Sequence, residues 1–195
     1  MSKILILFAH PRYESSIVQQ QLSLAAQRVR GVTFHDLYEL YPDYDIQVKQ
    51  EQELLLDHEI VVLQHPLYWY SCPPLMKQWI DLVLEHGWAY GKEGRSLEGK
   101  ILFNVISTGG RQEAYHPGGF NRFTILQFLA PFEQTARICN MTYYPPFVVH
   151  GTHRATLTEM ENAGEGYRNL LEGLVNGKFP VEDIVSLRYM NELIN

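Results

Sequence analysis

No apolar run in this 195-residue chain approaches the ~18–20 residues that a helix needs to cross a bilayer. The opening stretch Lys3–Ala9 is too short, and turns polar too abruptly, for a secretory leader, so none is expected. Cysteine is scarce. Cys72 and Cys139 are too few for a disulfide framework, and free thiols fit a reducing compartment. The Asn140-Met141-Thr142 sequon has meaning only outside the cell and is read as chance. A net charge of −6 argues against broad electrostatic binding to nucleic acid. Internal repeats and low-complexity linkers are absent. No Gly-x-Gly-x-x-Gly follows the first apolar run, which argues against a Rossmann dinucleotide fold. Gly94–Lys100 imitates a phosphate loop, but Ile101 stands where Ser or Thr is needed, and the strand follows the loop instead of preceding it. His150 and His153 have a spacing that suits a metal but no third ligand nearby, so no metal site is expected.

What is present is an ordinary globular composition, 46% hydrophobic and 19% charged, in a length suited to one domain. Strand and helix patterns alternate. Lys3–Ala9, Val32–Asp36, Glu59–Gln64 and Lys100–Ser107 read as strands, and a fifth falls within Arg137–Val149. Ser16–Val29, Val48–Asp57, Leu75–His86, Phe120–Phe132 and Leu157–Val175 read as helices, the first capped by Ser15 or Ser16. Apolar strands alternating with amphipathic helices predict an α/β, doubly wound, five-stranded parallel sheet in a three-layer sandwich, with strand order reversing beside the first strand. Residues 1–176 make this domain. Residues 177–195 are a tail whose Val181, Ile184, Val185 and Leu187 call for packing on the domain or on a partner subunit.

Three loops follow strand ends in this arrangement. Ala9–Ser16 leads into a helix, whose N-terminal N–H groups suit a phosphate. Plain capping by serine is the competing reading. Pro66–Pro74 carries Tyr68-Trp69-Tyr70 directly after a buried strand, a placement that suits a flat ring, with plugging of the core as the alternative. Ser107-Thr108-Gly109-Gly110 allows close backbone approach, or simply a tight turn. Each is weak alone. The expected topology sets the first, third and fourth strands side by side, so the loops converge.

Together, Ala9-His10-Pro11 with Ser16, Gln64–Ser71 with Pro73-Pro74, and Thr108-Gly109-Gly110 resemble the flavodoxin-like NAD(P)H:quinone oxidoreductases. His35–Tyr38, Tyr41-Pro42-Asp43 and Gly87–Gly91 resemble the bacterial branch that includes the ancillary flavoprotein subunits of glutathione-regulated potassium-efflux systems. The likeness spans about residues 3–175, and the tail is longer than that branch leads one to expect.

The resemblance implies a flavin, FMN in preference to FAD, with NADPH or NADH as donor and a quinone or similar flat molecule as acceptor. It places His10, Ser16, Ile17, Val18 and Gln19 at the flavin phosphate. It places Leu67, Tyr68, Trp69 and Tyr70 along the isoalloxazine, and Ser107, Thr108, Gly109 and Gly110 at a third flavin loop. Tyr115 suits the family's catalytic tyrosine. The family's histidine falls near Asn121, which leaves His116 as the substitute. The family also implies a homodimer in the cytoplasm, and the efflux branch a membrane potassium-efflux transporter as partner, with peripheral placement at the inner face of the membrane.

Overall fold

The computed structural model describes residues 1–194. At its centre β1 (Ile4–Phe8), β3 (Ile60–Pro66) and β4 (Ile101–Ser107) lie parallel, and nearly all their side chains are buried. Unbroken apolar runs settle into such positions because both sheet faces are covered. β2 (Val32–Asp36) is the half-buried edge beside β1. The strand order is 2-1-3-4-5, the flavodoxin-like order, all parallel.

Strand five departs from expectation. Arg137–Val149 yields two short strands, β5 (Thr142–Tyr143) and β6 (Phe147–Val149), both paired to β4. Tyr144-Pro145-Pro146 separates them, because neither proline has an N–H to give the ladder.

One face of the sheet carries Leu5, Leu7, Val61, Leu63 and Ile106 against a short α2 (Leu37–Leu40), α3 (Val48–Leu56), α4 (Pro74–Val83) and α5 (Ile125–Ile138). The other carries Ile6, Phe8, Val62, Phe103 and Val105 against α1 (Ile17–Gln27) and α6 (Leu157–Val175). The period-two alternation divides the core in this way, and each fully buried side chain contributes roughly 1.5–3 kcal/mol.

Helix α5 begins later than the expected Phe120. Thr124 and Gln127 form a reciprocal capping box, with Gln127 N–H donating to Thr124 Oγ1 at 3.2 Å and Thr124 N–H to Gln127 Oε1 at 2.8 Å. Phe120–Phe123 is thereby left as loop at the sheet's carboxyl edge. In the tail, α7 (Val181–Val185) and a 3₁₀ turn at Met190–Leu193 bring Ile184 and Met190 into the α1/α6 face of the core. No described helix is long and apolar enough to cross a membrane.

Candidate active site

Backbone register brings the strand ends level. Ala9 N–H donates to Gln64 at 3.0 Å, Leu67 N–H to Ser107 at 2.9 Å, and Thr108 N–H to Val149 at 2.9 Å. The chains leaving β1, β3 and β4 therefore emerge together. They enclose an inner cavity of about 330 Å³ lined by His10, Ser15, Ser16, Ile17, Val18, Leu67, Tyr68, Ser107 and Gly109. Next to it, beyond Leu67 and the glycine pair, an outer cavity of about 370 Å³ is lined by Trp69, Tyr70, Gly110, Tyr115, Phe120 and Asn121.

At one end of the inner cavity, Ser16 occupies the N-cap of α1, yet its hydroxyl makes no capping bond. Ser15 Oγ instead donates to Arg12 C=O at 2.8 Å. The first-turn N–H groups of α1 are left without side-chain acceptors, a ready environment for an anion. His10 Nδ1 accepts from Arg12 N–H at 3.1 Å, so its ring proton sits on Nε2 as a donor. Burial lowers the His10 pKa, against an opposing pull from Glu14, and keeps the imidazole neutral.

Beneath the cavity floor runs a buried chain of amides and hydroxyls. Tyr167 Oη donates to Gln64 Oε1 at 3.2 Å, and Gln64 Nε2 donates to Gln19 Oε1 at 3.0 Å and to Ser23 Oγ at 3.3 Å. Gln19 Nε2 completes it by donating to Ser107 Oγ at 2.9 Å. Gln19, Ser23, Gln64 and Tyr167 are fully buried, and each buried polar group has its partner.

The aromatic loop is built differently. Trp69 and Tyr70 both take positive φ, 48° and 65°, a conformation costly for bulky residues. This turn leaves the Trp69 side chain 93% exposed. Tyr70 stacks on Phe128 with ring centroids 4.9 Å apart, and its hydroxyl donates to Asn121 Oδ1 at 3.3 Å. Tyr68 meets the His10 ring edge-on at 5.6 Å.

At the third loop a Cβ on Gly109 would stand 2.3 Å from His153 Nε2, and one on Gly110 3.0 Å from the Tyr115 hydroxyl. Bare backbone at these two positions lets the neighbouring rings approach. Tyr115 itself is buried, with its ring against Phe128 and, at 5.6 Å, against His150.

Of the expected site residues, the structure gathers His10, Ser16, Ile17, Val18, Leu67, Tyr68, Ser107 and Gly109 around the inner cavity, and Trp69, Tyr70, Gly110 and Tyr115 around the outer one. Three stand elsewhere. Gln19 points into the core, where its amide is consumed by Ser107 and Gln64, so it supports the site from below. Thr108 turns its hydroxyl to Gly110 C=O at 2.8 Å and lines neither cavity. His116 is exposed, its Nδ1 accepts from Gly118 N–H at 3.1 Å within its own turn, and it lines neither cavity.

Thr152, His153 and Met160 also line the inner cavity, and Phe120 the outer one, though none was expected there. The first three come from the loop after β6 and the start of α6. The strand order that sets β6 beside β4 was the signal that could have found them. Among the described residues no cluster of three or more His, Cys, Asp or Glu side chains could hold a metal ion.

A sequence family described as having a flavodoxin-like fold matches residues 2–171. The glutathione-regulated potassium-efflux system ancillary protein KefG of Erwinia tasmaniensis is 43% identical over 170 residues, 87% of this chain and 92% of that protein. The general stress protein 14 of Treponema denticola, solved in complex with FMN, is 40% identical with a TM-score of 0.84, covering 88% of this chain and 99% of that one. An NADPH-quinone reductase from P. pentosaceus is 36% identical with a TM-score of 0.78, covering 86% and 96%.

Proposed function

This chain belongs to the flavodoxin-like family, and on that premise we propose that it is a cytoplasmic flavin-dependent NAD(P)H:quinone oxidoreductase, with FMN as its prosthetic group. The observation that carries the reading is the convergence of three strand-end loops on two adjoining cavities, the inner with anion donors at one end and the outer with aromatic walls. The FMN held by the T. denticola protein and the quinone-reductase activity named for the P. pentosaceus protein support it.

The residues present fit such a group. The Ser16 hydroxyl, His10 Nε2–H and the first-turn amides of α1 would hold its phosphate. Leu67–Tyr70 and the bare Gly109–Gly110 backbone would flank its ring. When bound, the flavin supplies the hydride relay, two electrons taken from NAD(P)H and delivered to a quinone in a ping-pong sequence. Trp69, Tyr70 and Phe120 form a platform for whichever flat partner enters the outer cavity. The Tyr115 hydroxyl, poised at Gly110, donates to negative charge developing on an acceptor oxygen.

The protein is expected to purify with one bound FMN, to bleach with NADPH and to recover on adding a benzoquinone. A form that binds FMN but is neither bleached nor reoxidised would reject the reductase reading and leave the flavin site standing. The E. tasmaniensis relative favours a second role, as an ancillary subunit docked on a potassium-efflux transporter. Co-purification with such a transporter from membranes would establish it. A homodimer completes the proposal, and sedimentation of the full chain tests it.

A further inference from the structure

The C-terminal tail lies outside the residues matched by the family, which end at 171. It nonetheless reaches His150, whose ring packs on Tyr115. Along the open edge of β6, Asn191 uses its side-chain amide as a strand would, accepting from Val148 N–H at 2.9 Å and donating to Val148 C=O at 3.1 Å. Met190 N–H adds a bond to Pro146 C=O at 3.0 Å. These bonds satisfy an edge that would otherwise carry unpaired backbone groups. They also seat Tyr189, which is buried, with its ring 6.1 Å from that of His150.

His150 lines neither cavity but packs against a residue of the outer one. Its far side packs on Tyr115. Its Nδ1 lies 3.2 Å from Thr108 Oγ1, whose own proton goes to Gly110 C=O at 2.8 Å. Because Thr108 donates to a carbonyl, which only accepts, it must receive from His150, so the imidazole carries its proton on Nδ1. Gly110 C=O also accepts Gly151 N–H at 2.9 Å, which ties the two loops together. His150 Nε2 is buried and has no partner among the described residues. The charged neighbours are Glu113, beside Tyr115, and Arg188, in the tail.

We propose that Tyr189 and Asn191 are positioning residues of the active site. Asn191 fixes the β6 edge, Tyr189 seats His150, and His150 holds Tyr115 and the Gly109–Gly110 turn in register. This rests on reading the outer cavity as the acceptor site. It makes His150, held from behind by the tail, the histidine that supports Tyr115. His116 has no part in it.

The test uses the full-length flavin-loaded protein and the variants Tyr189→Ala, Tyr189→Phe and Asn191→Ala, with NADPH as donor and a benzoquinone as acceptor. Tyr189→Ala should change quinone KM or kcat about tenfold, inside the hundredfold cost of a 1 Å misplacement. FMN affinity, read by flavin fluorescence quenching, should fall less than the quinone parameters change, by about threefold at most, because the phosphate end lies on another strand and only the ring contact at Gly109–Gly110 is loosened. Tyr189→Phe keeps the ring and should restore the parent values. Independently of activity, ¹⁵N-histidine NMR of the flavin-free protein should show His150 as the Nδ1–H tautomer in the parent and in Tyr189→Phe, and a tautomer mixture in Tyr189→Ala. Should Tyr189→Ala not fold, Asn191→Ala and Tyr189→Leu carry the same readings. Lower thermal stability with unchanged KM, kcat and His150 tautomer would overturn the proposal. A parent protein without reductase activity would instead reject the functional reading, and the NMR comparison would still decide whether the tail seats His150.

Discussion

The two cavities meet at Leu67 and the glycine pair yet are built on opposite plans. The inner one rests on Tyr167, Gln64, Gln19 and Ser107, a fully buried chain in which each amide is used. The outer one is rimmed by Trp69, 93% exposed on a turn held at positive φ, and by Phe120, 90% exposed on the loop before α5. A buried, satisfied network has one low-energy arrangement, whereas exposed aromatics on a strained turn can shift at little cost. The first suits a group that stays bound, and the second suits partners that enter and leave in turn.

The largest expected effect strikes the inner framework. Gln19→Leu removes one of the two acceptors of Gln64 Nε2, leaving Ser23, and the amide that donates to the Ser107 hydroxyl, and at about 1–3 kcal/mol for each weakened buried group it should cost about 2–3 kcal/mol in urea unfolding, with weakened FMN binding. Tyr70→Phe at the rim, which removes only the 3.3 Å bond to Asn121, should cost under about 0.5 kcal/mol. Equal losses would erase the contrast.

Acid should act on a second buried group, on the α5 side of the sheet. His65 is fully buried, with Nδ1–H donating to Pro66 C=O at 3.0 Å and Nε2 accepting from Asn104 at 3.0 Å. Burial, partly countered by the Pro66 bond, lowers its pKa from 6.5 to about 4. The unfolded chain then binds the proton more readily than the folded one. Stability is therefore complete above about pH 6.5 and declines as pH falls toward 4, by roughly 3 kcal/mol from this residue. Denaturation midpoints at pH 7, 5.5 and 4 check this; burial lowers the His150 pKa to about 4 as well, so His65→Gln should remove about half of the trend.

Three smaller effects sharpen the division of labour. Tyr115→Phe should lower turnover about ten- to hundredfold, the range of a lost proton or charge-stabilising donor, with FMN still bound. Unchanged turnover would remove Tyr115 from the mechanism. Ser16→Ala should weaken FMN binding about tenfold and leave stability within about 0.5 kcal/mol, whereas a serine that truly caps a helix costs about 0.5–2 kcal/mol. Trp69→Gly should raise stability by about 1 kcal/mol by relieving the positive φ, and raise quinone KM a few-fold.

The central strands were legible because β1, β3 and β4 are unbroken apolar runs, and the loops after them fell at one edge once the order was assumed. Strand five was not, because Pro145-Pro146 splits it. The start of α5 was misplaced because Phe120–Phe123 reads as an apolar helical face, while the Thr124–Gln127 capping box decides the boundary. At the site, residues that face the cavity by their place in a loop were readable: His10, Ser16, Leu67–Tyr70 and Tyr115. Gln19 and Thr108 lie beside cavity residues in the chain, but their side chains are turned away by hydrogen bonds that local sequence does not encode. His153 and Tyr189 reach the region only through strand order and tail packing.

The claim beneath all of this is that the ends of β1, β3 and β4 together hold one flavin. Titrating flavin-free protein with FMN while following the visible spectrum and flavin fluorescence tests it most directly. Saturation at one FMN per chain, with about tenfold weaker binding in Ser16→Ala, is the predicted result. A protein that stays colourless and leaves FMN fluorescence unquenched would contradict it.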